Sequence, residues 1–118
     1  MEFVDLYSDY LSIKDELDAK MQEVIKETAF IGSSKNRYVV EFENEFSSYL
    51  NIEHCVGCAN GTDAIEIGLT AIGVKPGDEV IVPAISWIST AEAVVNIGAI
   101  PVFVDVLYAD SNIDVSKV

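Results

Sequence analysis

The first half of the chain carries apolar residues at helical spacing, separated by charged ones. Residues 8–28 predict a long amphipathic helix, and residues 36–50 predict a second one. The apolar stripe of the first comprises Leu11, Leu17, Met21, Val24 and Ile25, and that of the second comprises Val39, Phe42, Phe46 and Tyr49. Asp9 or Ser12 could cap the first helix, and we expect both stripes to serve packing.

From residue 54 the pattern changes to strand, helix, strand, helix, strand. The predicted strands are 54–59, 79–83 and 101–106, and the helices between them run over 64–73 and 89–98. Ser89 and Glu92 have the spacing of a capping box for the second of these helices, and Asp114 could cap a further one. Crossovers of this length require parallel strands, so the sequence predicts an α/β fold containing a parallel βαβαβ unit.

The junction between the first predicted strand and its helix is the candidate site of the chain. It reads Asn60-Gly61-Thr62-Asp63. The first N–H groups of a helix lack partners and the dipole is positive there, so such a junction binds anions, most often phosphate. An ordinary helix cap is the alternative, because Asn and Asp cap many helices. The stretch is neither G-x-G-x-x-G nor a P-loop.

A second loop, over residues 83–89, follows the next predicted strand and contains the only tryptophan, Trp87. Ligands of parallel sheets bind at the carboxyl ends of the strands, where both loops would lie. A phosphate-binding loop beside a flat aromatic side chain suits a phosphorylated planar ring. Packing remains the alternative interpretation of an isolated Trp.

Composition and charge exclude several classes of protein and of partner. The 118 residues suffice for at most one domain, and 50% of them are hydrophobic, which is typical of globular chains. The net charge of −13 argues against nucleic acid and anionic membranes as partners. The sequence shows no apolar run long enough for a membrane helix and no signal peptide, so we expect a cytoplasmic protein.

The two cysteines, Cys55 and Cys58, have C-x-x-C spacing. In a strand, residues an odd number apart point to opposite faces, so the pair could not form a disulfide there. A zinc site would need more ligands than these two and His54, the single histidine. We therefore expect buried, reduced cysteines and no metal.

Several segments together resemble a known family, the DegT/DnrJ/EryC1/StrS aminotransferases. They are, in order, 3–6, 30–32, 60–64, 73–84, 87–94 and 98–105. The resemblance implies the amino-terminal part of the large domain of a fold type I (aspartate aminotransferase-like) enzyme that uses pyridoxal 5'-phosphate. Such enzymes transfer an amino group from glutamate to a nucleotide-linked keto-sugar and usually work as homodimers.

The resemblance also implies roles for individual residues. Gly61, Thr62 and Asp63 match the positions that hold the cofactor phosphate, and Trp87 matches the aromatic residue that stacks on the pyridine ring. Residues 83–86 and 32–35 would lie near the substrate, which is a weaker inference. Residues 1–53 would be a helical segment, and residues 54–118 would begin the cofactor-binding domain as one incomplete domain.

One part of the family pattern lies outside this sequence. The lysine that carries the cofactor, and the acid that pairs with the pyridine nitrogen, would follow residue 118. We therefore expect no catalytic residue in these 118 positions and no transamination by them alone. The chain would pair with a second copy or with a complementary C-terminal fragment. A non-catalytic binding or assembly fragment, and part of a fold type I enzyme acting on amino acids, remain alternatives.

Overall fold

The computed structural model describes residues 4–31 and 36–118. Their contacts form two compact units, one extending to Gly57 and the other running from Cys58 to Val118. The first unit holds two helices, α1 (Leu6–Lys26) and α2 (Arg37–Leu50). The second holds, in chain order, α3 (Gly61–Ala71), β1 (Glu79–Pro83), α4 (Ser89–Asn96), β2 (Ile100–Val104) and a 3-10 helix (Val115–Lys117).

Side-chain caps define the starts of the two helices of the first unit. The Asp5 carboxylate accepts the Ser8 N–H at 3.0 Å, so α1 begins before Asp9, and the prediction of Asp9 or Ser12 as its cap is wrong. The Asn36 side chain accepts the Tyr38 N–H at 3.1 Å and caps α2 where the sequence predicted its start. That helix ends at Asn51 in the left-handed conformation, which Asn tolerates better than most residues.

The apolar stripes of α1 and α2 are mostly exposed in this unit, and neither helix has a buried residue. The predicted stripe of α2 does lie on one side, where the rings of Phe42 and Phe46 stack with centroids 5.5 Å apart and Tyr49 continues the row. Phe42 is 54% exposed and Tyr49 84%, so these two side chains are not buried.

The second unit is built on a parallel pair of strands. Glu79 of β1 pairs with Ile100 of β2, and the register continues to Pro83 with Val104. Helix α4 connects the strands and packs on both, while α3 packs on α4. The core is formed by buried apolar side chains of β1, of α4 and of the turn before β2, namely Val82, Val94 and Ala99, with Leu69, Val74, Val80 and Ile97 packed against them. The predicted second strand, 79–83, is confirmed to the residue.

Residues 54–59 contain no strand, so the structure corrects the predicted βαβαβ unit to two strands. A strand needs a ladder partner for its backbone groups, and the described residues provide none beside this segment. The expectation of buried cysteines depended on that strand and is also wrong. Cys58 is exposed and Cys55 is half-buried, and both are free thiols.

The predicted capping box of α4 is absent. Ile88 occupies the cap position with helical dihedral angles, and no side chain caps the helix there. Because the chain is already helical at Ile88, Ser89 lies inside the first turn rather than at the cap. Asp114 does act as a cap, accepting the Ser116 N–H at 3.0 Å, but of a single 3-10 turn.

The turn between α3 and β1 and the turn between α4 and β2 meet at one edge of the sheet. The Gly77 N–H donates to the Gly98 carbonyl at 2.8 Å. Gly98 has φ of +80°, and a Cβ there would lie 3.1 Å from Cβ of Pro76, so this contact requires glycine. Both helices therefore end at the amino edge of the strands, and both begin toward the carboxyl edge.

Candidate functional site

The first turn of α3 is capped by the side chain that precedes it. Asn60 is extended, and its Oδ1 accepts the Asp63 N–H at 2.9 Å, while its carbonyl accepts the Ala64 N–H at 3.1 Å. Within the described chain, the N–H groups of Gly61 and Thr62 and the Thr62 hydroxyl have no hydrogen-bond partner. Three donors thus remain at the positive end of the helix dipole.

The space in front of these donors is open. Gly61 is exposed, and a Cβ placed on it would meet nothing within 4 Å, so a ligand can approach its backbone. Thr62 is half-buried. The two free amides and the hydroxyl fit one face of a phosphate, which accepts hydrogen bonds through all its terminal oxygens.

Asp63 differs from Gly61 and Thr62 in one respect. The Asp63 N–H already donates to the Asn60 side chain, so this N–H is not free to bind a ligand. Its carboxylate lies in the first turn, where negative charge complements the dipole. A contact from Asp63 to a bound phosphate stays a prediction.

Trp87 lies in the five-residue connection from β1 to α4. Its side chain is 79% exposed. The connection is anchored where it leaves the sheet, because the Ala84 N–H donates to the Val104 carbonyl at 2.8 Å. It is anchored again at α4, where the Trp87 carbonyl accepts the Thr90 N–H at 3.0 Å. A fixed backbone thus presents an indole that is free to contact a ligand.

The topology brings the Gly61 end of α3 and the Trp87 loop to the same edge of the sheet. Helices α3 and α4 run in the same direction, since both end at the amino edge, where Gly77 meets Gly98. A hydrogen bond of 2.6 Å from Asn96 to Glu66 also joins them. Unpartnered hydrogen-bond donors and an aromatic surface therefore share the carboxyl edge, where parallel sheets bind ligands.

The structure also bears on the residues that the sequence predicted near a substrate. Residues 83–86, predicted to lie near a substrate, belong to the same edge, whereas residues 32–35 lie outside the described residues. Sequence reasoning missed the hydrogen bond of 2.7 Å between the hydroxyls of Ser86 and Thr90. Their spacing, four residues apart on either side of Trp87, was the available signal.

The chain is similar in sequence to known proteins. The family model of the DegT/DnrJ/EryC1/StrS aminotransferase family matches residues 11–118. The UDP-2-acetamido-2-deoxy-3-oxo-D-glucuronate aminotransferase of Pseudomonas aeruginosa is 40% identical over 114 residues, which are 97% of this chain and 31% of that protein.

Two solved structures are similar in sequence and in fold. A DegT/DnrJ/EryC1/StrS aminotransferase from Brucella abortus is 40% identical with a TM-score of 0.86, over 98% of this chain and 30% of that one. NtdA of Bacillus subtilis, solved with bound cofactor PMP, is 38% identical with a TM-score of 0.79, over 90% of this chain and 23% of that one. The chain thus spans about a third or less of the length of these relatives.

The fold is that of a fold type I aminotransferase, represented here by helices followed by a parallel βαβ unit. The chain belongs to the DegT/DnrJ/EryC1/StrS aminotransferase family. The described residues include no helix with the length and hydropathy that crossing a membrane requires.

Proposed function

We propose that this chain forms the cofactor-phosphate part of a pyridoxal-phosphate-dependent aminotransferase that moves an amino group from glutamate to a nucleotide-linked keto-sugar. The observation that carries the proposal is the pairing of free donors at Gly61 and Thr62 with an exposed Trp87 at one sheet edge. The name of the Pseudomonas relative, which acts on a UDP-linked 3-oxo sugar, supports the substrate class.

Each residue of the site has a defined task in this proposal. The Gly61 and Thr62 amides and the Thr62 hydroxyl hold the phosphate, and the Asn60 side chain keeps the helix end in shape around it. Trp87 supplies a flat surface for the pyridine ring and shields one ring face from water. When bound, the cofactor supplies an electron sink for carbanion chemistry, and these residues supply its binding and orientation.

We further propose that residues 1–118 do not complete the transfer alone. Lys75 lies in the turn before β1, at the amino edge, where its N–H donates to Asp78. Lys14 and Lys20 form ion pairs on α1 in the other unit. Within the second unit, Lys75 does not belong to the edge that carries Gly61, which supports an amine supplied from elsewhere in a longer polypeptide or complex.

The proposed organisation is a helical segment over 1–53 and the start of a cofactor-binding domain over 54–118, working in the cytoplasm. Exposed apolar side chains support assembly with a second copy or a complementary fragment. Ile81 and Ile100 lie on one face of the sheet and are 45% and 51% exposed. Light scattering should show species larger than one chain, and a monodisperse monomer at high concentration would contradict assembly.

Binding of the cofactor skeleton is the direct test of the site. Pyridoxine 5'-phosphate has the same ring and phosphate but lacks the aldehyde, so it cannot react with lysines. Because Trp87 is the only tryptophan, its fluorescence reports on one place. Titration should quench this fluorescence. Thr62→Ala should weaken binding about 3- to 10-fold through loss of one hydrogen bond, and Asn60→Asp about 10-fold through charge repulsion.

Two matched controls separate the site from helix stability. Asn60→Asp keeps an oxygen that caps α3, so weakened binding with unchanged circular dichroism assigns the effect to charge. Thr70→Ala removes a hydroxyl from the other end of the same helix, where it bonds the Glu66 carbonyl, and should leave binding unchanged. Absence of quenching in the unmodified chain, or equal affinity in all four proteins, would refute the phosphate site.

A further inference from the structure

We propose that the hydroxyl pair of Ser86 and Thr90 positions Trp87 for stacking on the ring of the ligand, an inference that rests on the proposed function. Neither residue belongs to the proposed phosphate site. Both flank the indole that the site presents, and their Oγ atoms are 2.7 Å apart.

Apart from the hydrogen bond that the Trp87 carbonyl accepts from the Thr90 N–H, the hydroxyl pair is the described hydrogen bond that holds the middle of the loop. Its first residue is tied to β2 through the Ala84 N–H, and its last residue, Ile88, is already helical. Between them the Trp87 side chain is 79% exposed, so packing does not set its direction. The backbone at Trp87 therefore sets the region that the indole can reach.

Thr90 makes one hydrogen bond to the Trp87 backbone and one to the Ser86 side chain. Its N–H donates to the Trp87 carbonyl at 3.0 Å, and its hydroxyl bonds to the residue that precedes Trp87. Thr90 itself is half-buried at the start of α4, one turn before the fully buried Ala93 and Val94. The pair therefore couples the loop to the most tightly packed helix of the unit, and we describe Ser86 and Thr90 as positioning residues.

A set of four variants tests the pair. Ser86→Ala and Thr90→Val each remove one hydroxyl, the double variant removes both, and Thr90→Ser keeps the hydroxyl. Pyridoxine 5'-phosphate affinity, read from Trp87 quenching, should fall about 3-fold in each single variant, because one exposed neutral hydrogen bond is lost. The double variant should bind no more weakly than either single one, because both lose the same bond. Thr90→Ser should bind like the unmodified chain.

Two further readouts distinguish positioning from general damage. Without ligand, the fluorescence anisotropy of Trp87 should fall in Ser86→Ala and Thr90→Val and be retained in Thr90→Ser. Inorganic phosphate, which has no ring, should bind all variants equally by calorimetry. Because Ser86 is exposed, Ser86→Ala should unfold at the same temperature as the unmodified chain. If Thr90→Val does not fold, Ser86→Ala alone is sufficient to test the proposal.

The results distinguish a failure of the proposed function from a failure of the positioning role alone. If neither pyridoxine 5'-phosphate nor phosphate binds the unmodified chain, the proposed function fails, and the positioning role fails with it. If both ligands bind, but Ser86→Ala leaves affinity and anisotropy unchanged, or the double variant shows additive losses, only the positioning role is overturned.

Discussion

The two units of this chain are held together in different ways. Among the residues that the structure describes, the buried side chains are Val82, Ala93, Val94, Ala99 and Val104, and all belong to the second unit. The helices of the first unit bury no residue, although each has an apolar stripe. Caps and exposed ion pairs are what define that unit, such as the pair between Arg37 and Glu27 at 2.6 Å.

The difference shows that an amphipathic pattern specifies a helix but not its partner. In the second unit, α4 is only eight residues long, yet it covers both strands and contains the most buried side chain. In the first unit, the 21-residue α1 has the length to form a helix without a core. Substitutions should therefore act through packing in one unit and through local bonds in the other.

The largest effect is expected in the core of the second unit. Val94 is 1% exposed, so Val94→Ala leaves a cavity and should destabilise that unit by about 2 kcal/mol. Urea unfolding followed by Trp87 fluorescence measures this change. Val95→Ala, at a 56% exposed position of the same helix, should change stability by less than about 0.5 kcal/mol. Equal effects would mean that α4 is not packed as described.

A smaller effect is expected where α2 begins. The Asn36 side chain caps that helix and also donates to the Ala29 carbonyl at 2.9 Å. Asn36→Ala should cost about 1 kcal/mol of helix stability, measured by far-UV circular dichroism during thermal unfolding. Asn36→Asp keeps the capping oxygen and should lose less. If Leu17→Ala, on the exposed stripe of α1, costs more than Asn36→Ala, the proposed contrast between the units is wrong.

The smallest effect concerns the charge on the α1 cap. Hydrogen bonds from Ser8 to the Asp5 carboxylate lower its pKa below the usual 3.8. Because the pKa is lower in the folded chain, the cap stabilises α1 above pH 3.8 and is lost as the pH falls through the lowered value. Asp5→Asn keeps a capping oxygen but cannot titrate. The difference in circular dichroism between the two proteins should therefore disappear on acidification, and a constant difference would contradict this assignment.

Much of the fold could be predicted because local signals bound its elements. The predicted bounds of strand β1 match the observed ones, since the turn through Gly77 and Asp78 precedes it and Pro83 ends it. Helix α2 was placed within one residue of its start by Asn36. The donors at Gly61 and Thr62 were also predictable, because they depend only on a helix beginning at that point.

The errors about residues 54–59 arose because those predictions depended on a distant partner. Residues 54–59 have strand composition, but the sequence cannot tell whether another strand is available to pair with them. The burial of Cys55 and Cys58 failed for the same reason. The Ser86–Thr90 pair was missed because it depends on the loop geometry around Trp87, which composition does not encode.

The Asn60 side chain has a consequence for how any anion would bind. It satisfies the Asp63 amide internally, so the first turn of α3 holds its shape without a ligand. An arriving phosphate would find its remaining donors already aligned, and little conformational entropy would be lost on binding. The site is thus preorganised, and its affinity depends on the contacts it makes rather than on the folding of its own helix.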